Sequence, residues 1–254
     1  MNVIWSIAKN TYKEIIRDKL LYGILVVGLL VTASSFFLAS ISFEQNARVT
    51  QDIGLAAIHV FAFFITVFVA TNSINKDDER RALYLIFSKP ISRGQYLVGK
   101  YLGFVLLLLT TLGILGGFFL IGAFATERDI VLGAVMNLGY SFLEISLLTS
   151  IAVLFATFTA PLNASLYTVA LFVIGHSLVI MRDFVTRLDS AFLHGVMNVC
   201  YYLLPNLDKF DQRAAILYGI HIPPLTVLWS LAYWAIYTGL VLFVAVQVMR
   251  TREV

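Results

Sequence analysis

The stretch that decides the fold is LLYGILVVGLLVTASSFFLASI, residues 20–41, which contains 22 residues and no charged side chain. At about 1.5 Å per helical residue this run is roughly 33 Å long, enough to cross the hydrocarbon core of a bilayer. A second uncharged run of 26 residues occupies positions 101–126. Because backbone hydrogen bonds inside a bilayer must be satisfied by the protein itself, both runs are predicted to be transmembrane helices.

The composition of the whole chain has the same character. The 254 residues are 59% hydrophobic and 13% charged, whereas an ordinary globular domain has about 25% charged residues. This excludes a disordered chain and disfavours a soluble domain. The single cysteine, Cys200, allows no internal disulfide, and the net charge of +3 is too small for a nucleic-acid-binding surface. The composition therefore indicates an all-α polytopic membrane protein that has the lipid bilayer as a partner and binds no nucleic acid.

The same test predicts six transmembrane helices. Residues 1–19 are predicted to form an amphipathic helix in the membrane interface, and a positively charged anchor for the first span fits as well. Residues 20–254 then form one transmembrane domain. The predicted spans are 20–41, 53–74, 101–123, 131–157, 162–181 and 225–249.

Basic residues are concentrated on one side of these spans. Twelve of the 18 Lys and Arg residues fall in the N-terminal segment, the loop 75–100 and the C-terminal end. Because short cytoplasmic loops carry an excess of Lys and Arg, both termini are predicted to be cytoplasmic. The expected location is the inner or plasma membrane of a prokaryote.

The cytoplasmic loop 75–100 contains 9 of the 33 charged residues. Asn75 followed by Asp78 fits the start of a new short helix, because a capping side chain and an acidic residue both favour a helix N-terminus. Ser92 and Gln95 fit a second capping box that starts the next helix. The pattern is typical of a docking element for a cytoplasmic partner, and equally of a solvated turn between membrane helices.

Two runs resemble a known family. The run DERRALYLIFSKPISR, residues 78–93, followed by Gly99 and Lys100, resembles the cytoplasmic loop of ABC-2-type transporter permeases. The run YLLPNL, residues 202–207, with Phe210, is similar to the Leu-Pro-Asn segment of the subgroup that includes the permease for maturation of nitrous-oxide reductase. Many family members have Gly-Thr or Gly-Ser after the acidic residue, where this chain has Ala-Leu.

The resemblance implies a type-2 ABC exporter permease architecture, in which the membrane subunit dimerises and binds two copies of an ATP-binding cassette subunit. The second permease copy would be identical or paralogous. ATP and Mg²⁺ would bind the partner ATPase, and this chain would be a non-catalytic subunit without its own cofactor or metal. The residues expected to couple to the ATPase are Asp78, Glu79, Arg80, Arg81, Leu83, Tyr84, Phe87, Lys89, Pro90 and Arg93.

One motif has the spacing of an ATP-binding sequence. Gly94 and the residues up to Lys100 have the spacing of a phosphate-binding loop. The next residue is Tyr101, however, where Mg²⁺ needs a Ser or Thr hydroxyl, and no strand pattern precedes the motif. The chain is therefore not predicted to bind ATP.

Glu144 is the only charged residue inside a predicted span. Ionisable residues within the bilayer are costly and mark functional paths by default, so Glu144 is a candidate for the transport pathway. A neutral, hydrogen-bonded carboxylic acid within the bundle is the alternative. His176 is a second pathway candidate and His59 a further one, although a lone histidine packed among helices is more common than a ligand or a proton relay.

The outer segment 182–224 is predicted to form one or two helices that lie on or dip into the outer interface. Tyr201 and Tyr202 are expected to anchor it there, and Pro205 with Asn206 ends its apolar run. The resemblance implies that this segment gates the exit of the pathway. A lid that only shields the ends of the spans fits equally well.

Two glycine pairs lie at a spacing of four residues in the third span and at its start, Gly113 with Gly117 and Gly99 with Gly103. Such pairs allow close helix packing, either within one subunit or at a dimer contact.

Three classes of function remain. The first is the permease of an ATP-driven exporter. The second is a mechanotransmission complex that acts on a periplasmic partner protein without moving a solute. The third is an intramembrane enzyme, which is disfavoured because the chain has neither His-Glu-x-x-His nor Gly-x-Ser-x-Gly.

Overall fold

The computed structural model describes residues 3–41, 46–79, 91–126, 130–187, 191–217 and 222–251, and over these residues the chain is all-α, as predicted. A 3-10 turn, Leu207–Lys209, lies between the seventh and eighth helices. In chain order the described helices are α1 (Val3–Ile16), α2 (Lys19–Ile41), α3 (Asn46–Glu79), α4 (Arg93–Thr126), α5 (Ile130–Ala156), α6 (Pro161–Thr186), α7 (Ala191–Leu203), α8 (Arg213–Leu217) and α9 (Pro224–Thr251).

Five of the described helices are long and apolar enough to cross a membrane, namely α3, α4, α5, α6 and α9. The first predicted span lies on α2. The helical segments Val3–Ile16 and Leu21–Phe37 are bent by 72° relative to each other and make a sixth candidate span when the pair is counted as one. The prediction of a multi-pass all-α membrane protein is therefore confirmed, with five to six candidate spans.

The helix at the centre of the bundle is α5, which packs against α3, α4, α6 and α9. Every side chain from Tyr140 to Val153 is buried except that of Phe142, which is partly exposed. One of its small polar residues joins it to α9, because Ser146 Oγ accepts a hydrogen bond of 2.7 Å from Trp234 Nε1. Small hydroxyl side chains let neighbouring helices approach closely and supply cross-helix hydrogen bonds, which suits a helix surrounded on all sides.

The helix start predicted at Asn75 is wrong. The helix α3 continues through this position to Glu79, and Asn75 Nδ2 donates a hydrogen bond of 3.0 Å to the carbonyl oxygen of Thr71 in the preceding turn. No glycine or proline lies between Ile74 and Glu79, so nothing interrupts the helical backbone there. The predicted span 53–74 is thus the middle of a helix of 34 residues.

The capping box predicted at Ser92 and Gln95 is confirmed. The backbone N–H of Ser92 donates to Gln95 Oε1 at 3.0 Å, and the backbone N–H of Gln95 donates to Ser92 Oγ at 3.2 Å. These reciprocal bonds satisfy two backbone groups that a helix N-terminus otherwise leaves free. The helix α4 accordingly starts at Arg93 and runs on into the third predicted span.

The pair Gly99 and Gly103 lies where α1 packs against α4 within the same chain. A Cβ atom added at Gly99 would lie 2.8 Å from Ile7 Cβ, and one added at Gly103 would lie 2.8 Å from Thr11 Cβ. Tyr12 Oη adds a hydrogen bond of 2.7 Å to Thr110 Oγ1 farther along α4. The amphipathic N-terminal helix therefore covers the first turns of α4 with its buried face.

The substitution Gly103→Ala is expected to reduce the free energy of unfolding by about 1–3 kcal/mol, because the added methyl group overpacks the α1–α4 contact. It would lie 2.8 Å from Thr11 Cβ and 3.0 Å from the carbonyl oxygen of Ala8. Thermal unfolding of the purified chain measures the effect.

The matched control is Gly239→Ala within α9, where no neighbouring atom of the described residues lies within 4 Å of the added Cβ. There the change should be neutral or stabilising by up to about 1 kcal/mol, because alanine is the better helix former. Equal destabilisation by both substitutions would contradict a specific contact at Gly103.

Candidate functional site

A polar cluster lies where α3, α5 and α6 meet, formed by His59, Glu144 and His176. The Nε2 atom of His59 lies 3.5 Å from Glu144 Oε1, and the Nε2 atom of His176 lies 3.3 Å from the same oxygen. Glu144 is 3% exposed and His59 is 5% exposed. One carboxyl group is therefore flanked by two imidazoles inside the bundle.

The other nitrogen of each imidazole is also engaged. Nδ1 of His59 lies 3.1 Å from Ser141 Oγ, one turn before Glu144 on α5. Nδ1 of His176 lies 3.1 Å from the carbonyl oxygen of Phe172, one turn earlier on α6. The Phe172 ring lies 4.7 Å from the His176 ring and 6.1 Å from the His59 ring, centroid to centroid. Polar and aromatic contacts together orient both imidazoles toward Glu144.

A cavity of about 340 Å³ adjoins the cluster. Asn137 and Ser141 add uncharged polar groups to its wall, and Asp211 and Arg213 line it on the side of the segment between the 3-10 turn and α8. The backbone N–H of Arg213 donates to Asp211 Oδ1 at 3.2 Å. The cavity thus connects a buried acid and two imidazoles with a segment that carries both an acidic and a basic residue.

The structure brings together the three intramembrane candidates predicted from the sequence, Glu144, His176 and His59. The three residues lie on separate helices and are far apart in the chain, so no local motif marks them as a group. Helix packing alone creates the cluster. Both imidazoles approach the same carboxylate oxygen, and among the described residues no group of three or more His, Cys, Asp or Glu side chains is arranged to hold a metal ion.

The predicted outer segment contains α7, the 3-10 turn and α8, while α6 extends to Thr186, beyond the predicted span end at residue 181. Tyr202 is 77% exposed. The ring of Tyr201, by contrast, lies 4.3 Å from the guanidinium carbon of Arg182. The two tyrosines therefore face different surroundings at the end of α7.

The residues after α7 turn back into the protein. Pro205 and Asn206 are buried, and the backbone N–H of Asn206 donates a hydrogen bond of 2.9 Å to Tyr233 Oη on α9. A Cβ atom added at Gly175 on α6 would lie 2.7 Å from Leu207 Cγ. This segment is therefore wedged between α6 and α9.

The predicted coupling residues lie at the edge of the described chain. Asp78 and Glu79 are in the last turn of α3, but their side chains fall outside the described residues. The structure does describe the two ends of the loop: Arg93 Nη1 donates to the carbonyl oxygen of Met249 on α9, and Lys100 Nζ donates to Ser73 Oγ at 3.1 Å. The other predicted coupling residues lie wholly outside the described residues, namely Arg80, Arg81, Leu83, Tyr84, Phe87, Lys89 and Pro90.

Several apolar helices around a buried ionisable cluster are typical of a membrane transport protein. The family model for ABC-2 family transporter proteins matches residues 5–244. The chain therefore belongs to the ABC-2 transporter family, which confirms the resemblance.

The chain is also similar to two curated permeases. It is 28% identical over 122 residues to the probable ABC transporter permease protein NosY of Stutzerimonas stutzeri, a stretch that covers 46% of this chain and 44% of that protein. It is 27% identical over 112 residues to the probable ABC transporter permease protein NosY of Pseudomonas aeruginosa, covering 42% and 41%. The chain thus matches less than half the length of these relatives.

The substitution Tyr233→Phe is expected to lower the free energy of unfolding by about 1–3 kcal/mol, because it leaves the buried N–H of Asn206 without its acceptor. Hydrogen exchange at the amide of Asn206 should become faster as the wedged segment loosens. The matched control is Tyr202→Phe, a hydroxyl deletion at a residue that is 77% exposed, which should leave both quantities unchanged. Unaltered exchange in Tyr233→Phe would refute the anchoring role of this hydroxyl.

Proposed function

We propose that this chain is the permease subunit of an ATP-binding cassette transporter and couples ATP hydrolysis by a separate nucleotide-binding subunit to the export of a substrate across the cell membrane. The observation that carries the proposal is the family match over residues 5–244, which includes nearly all of the candidate spans. The similarity to two probable ABC transporter permeases supports it.

In this proposal the energy source is another protein. Two copies of a cassette subunit bind ATP and Mg²⁺, and this chain contributes no catalytic group. A second permease copy, identical or paralogous, completes the membrane part. The Gly113–Gly117 face of α4 is a candidate for that contact, since no neighbouring atom of the residues that the structure describes lies within 4 Å of a Cβ added at either glycine.

The proposed coupling element is the loop between α3 and α4. Each of these helices has 34 residues and is therefore about 51 Å long, longer than the hydrocarbon core of roughly 30 Å. Their ends thus extend beyond the core and can receive force from a soluble partner. With both termini in the cytoplasm of a prokaryotic cell, as the positive-inside rule predicts, this loop faces the cassette subunits.

Contacts at the C-terminal end of this loop would transmit such a force to α9 and α3. Arg93 is bonded to the C-terminal end of α9, and the buried Lys100 of α4 is bonded to Ser73 of α3. The helix α3 in turn carries His59 to Glu144 on α5. A displacement of α3 by the cassette subunits would therefore change the surroundings of Glu144, the proposed pathway residue.

The alternative is a mechanotransmission complex that acts on a periplasmic partner without moving a solute. The wedged segment after α7 favours it, because Asn206 is bonded to α9 and its neighbour Leu207 contacts Gly175 on α6. Movement of either helix would be passed to the exposed surface of α7. ATP hydrolysis without transport in reconstituted vesicles, together with binding of a periplasmic protein, would select this alternative.

The substitutions Glu79→Ala and Arg80→Ala are expected to weaken binding of the cassette subunit about tenfold, which corresponds to about 1.4 kcal/mol of docking free energy. Co-purification and ATPase activity of the complex measure the effect. The control is Arg187→Ala, on the side assigned to the outside, which should change neither quantity. Unchanged complex formation and ATPase activity in both loop variants would exclude the docking role of the loop.

The substitution Glu144→Gln is expected to slow ATP-driven turnover of the reconstituted complex about tenfold, equivalent to about 1.4 kcal/mol of barrier. The reason is that an amide fills the same space but cannot ionise or release a proton. Ser177→Ala is the matched control, since Ser177 neighbours His176 on α6 and its hydroxyl donates a hydrogen bond to the carbonyl oxygen of Val173 within the same helix. Turnover at the wild-type rate would remove Glu144 from the pathway.

A further inference from the structure

The hydrogen bonds of His176 determine which ring nitrogen carries hydrogen. Its Nδ1 atom lies 3.1 Å from the carbonyl oxygen of Phe172, and a carbonyl oxygen can only accept a hydrogen bond. The Nδ1 atom must therefore be the donor. In a neutral imidazole with hydrogen on Nδ1, the other nitrogen, Nε2, is an acceptor with a free lone pair.

This lone pair faces Glu144. Nε2 of His176 lies 3.3 Å from Oε1 of Glu144, and an ionised carboxylate is likewise only an acceptor. Two acceptors in contact repel each other, and because Glu144 Oε1 has no hydrogen-bond partner among the described residues, the charge of this buried carboxylate would be left uncompensated. One added proton removes the conflict, either on Nε2, which gives an imidazolium–carboxylate pair, or on Glu144, which gives an acid that donates to Nε2.

The second imidazole requires no further proton. The Ser141 hydroxyl, 3.1 Å away, can donate to Nδ1 of His59. Neutral His59 then keeps its hydrogen on Nε2, which points at Glu144 Oε1 from 3.5 Å. Neutral His59 thus presents an N–H group to Glu144 Oε1, although this contact is too long to satisfy that oxygen as a hydrogen bond. The three side chains together carry no net charge when His176 and Glu144 hold one proton between them.

The cavity offers a route for this proton. Besides the three cluster residues, the titratable or charged side chains that line it are Asp211 and Arg213. Asp211 is exposed, so the cavity reaches a surface group that can exchange protons with water. By element, α3 contributes His59, α5 contributes Glu144 and α6 contributes His176, while the two remaining groups precede or begin α8.

We propose that His176 and Glu144 form a site that binds a single proton, exchanges it with the outer aqueous phase through this cavity, and sets how α3, α5 and α6 pack together. Loss of the proton leaves the buried carboxylate facing a lone pair, and a second proton leaves a net positive charge. Either change disfavours the described arrangement. The inference depends on the proposed function only for which side of the membrane is the outer one.

The proton content can be measured on the full chain in lipid nanodiscs near neutral pH. Nitrogen NMR of ¹⁵N-histidine-labelled protein distinguishes a neutral His176 from an imidazolium, with its signal assigned by its loss in His176→Gln. Infrared spectroscopy detects the carbonyl stretch of a protonated carboxylic acid, assigned by its loss in Glu144→Gln. The expected result is one of the two protonated forms, or a mixture that adds up to one proton. A neutral His176 beside an ionised Glu144, or an imidazolium beside a protonated acid, overturns the proposal.

A second measurement tests the effect of the proton on helix packing. The substitution Glu144→Gln keeps the size of the side chain, and its amide nitrogen can donate to Nε2 of His176, but the side chain neither binds nor releases a proton. Because the folded wild type binds a proton that the unfolded chain releases, its Tm should fall as the pH rises, and the Tm of Glu144→Gln should fall much less. Superimposable pH curves for the two proteins overturn the proposal.

These outcomes separate the proton site from the permease function. Spectra that show one shared proton, in a complex whose cassette subunit does not respond to the chain, would contradict the proposed function and leave the proton site standing. Spectra without that proton, in a complex with normal ATP-driven turnover, would contradict the proton site and leave the proposed function standing.

Discussion

A carboxyl group inside an apolar helix bundle needs polar contacts supplied by the protein itself, and in this chain that group is the side chain of Glu144. It lies on the central helix α5, is 3% exposed, and is met by one imidazole from α3 and one from α6. Because burial of an unpaired charge costs several kcal/mol, the relative positions of these three helices depend on that meeting. The cavity, the wedged segment after α7 and the proposed proton site all adjoin the same junction.

Local features of the fold could be predicted because their signals are local. Hydropathy located the spans, and the reciprocal bonds of Ser92 and Gln95 depend on residues within one helical turn. The same local logic failed at Asn75, since an asparagine can cap a new helix or bond back to the carbonyl of Thr71, and only the continuous backbone of α3 selects the second arrangement. A capping pattern within one turn therefore predicts a helix start reliably only where the polar side chain has no alternative hydrogen-bond partner in a continuing helix.

The cluster depends on contacts that no sequence pattern records. His59, Glu144 and His176 were each recognisable as polar residues in apolar surroundings, but their convergence is set by how three helices rotate about their axes. The two glycine pairs illustrate the same limit. Both have the same spacing, yet Gly99 and Gly103 pack against α1, whereas no neighbouring atom of the described part of the chain lies within 4 Å of a Cβ added at Gly113 or Gly117.

The contact between α1 and α4 also bears on how the protein is made. The surface that receives α1 is formed by Gly99 and Gly103, so α1, which is synthesised before α4, cannot reach its partner until residues 93–126 have been made. Until then the buried face of α1, with Ala8 and Ile15, has to rest on lipid or on the insertion machinery. Folding of the protein therefore includes a late docking step, in which α1 packs against α4 only after α2, α3 and α4 have been synthesised.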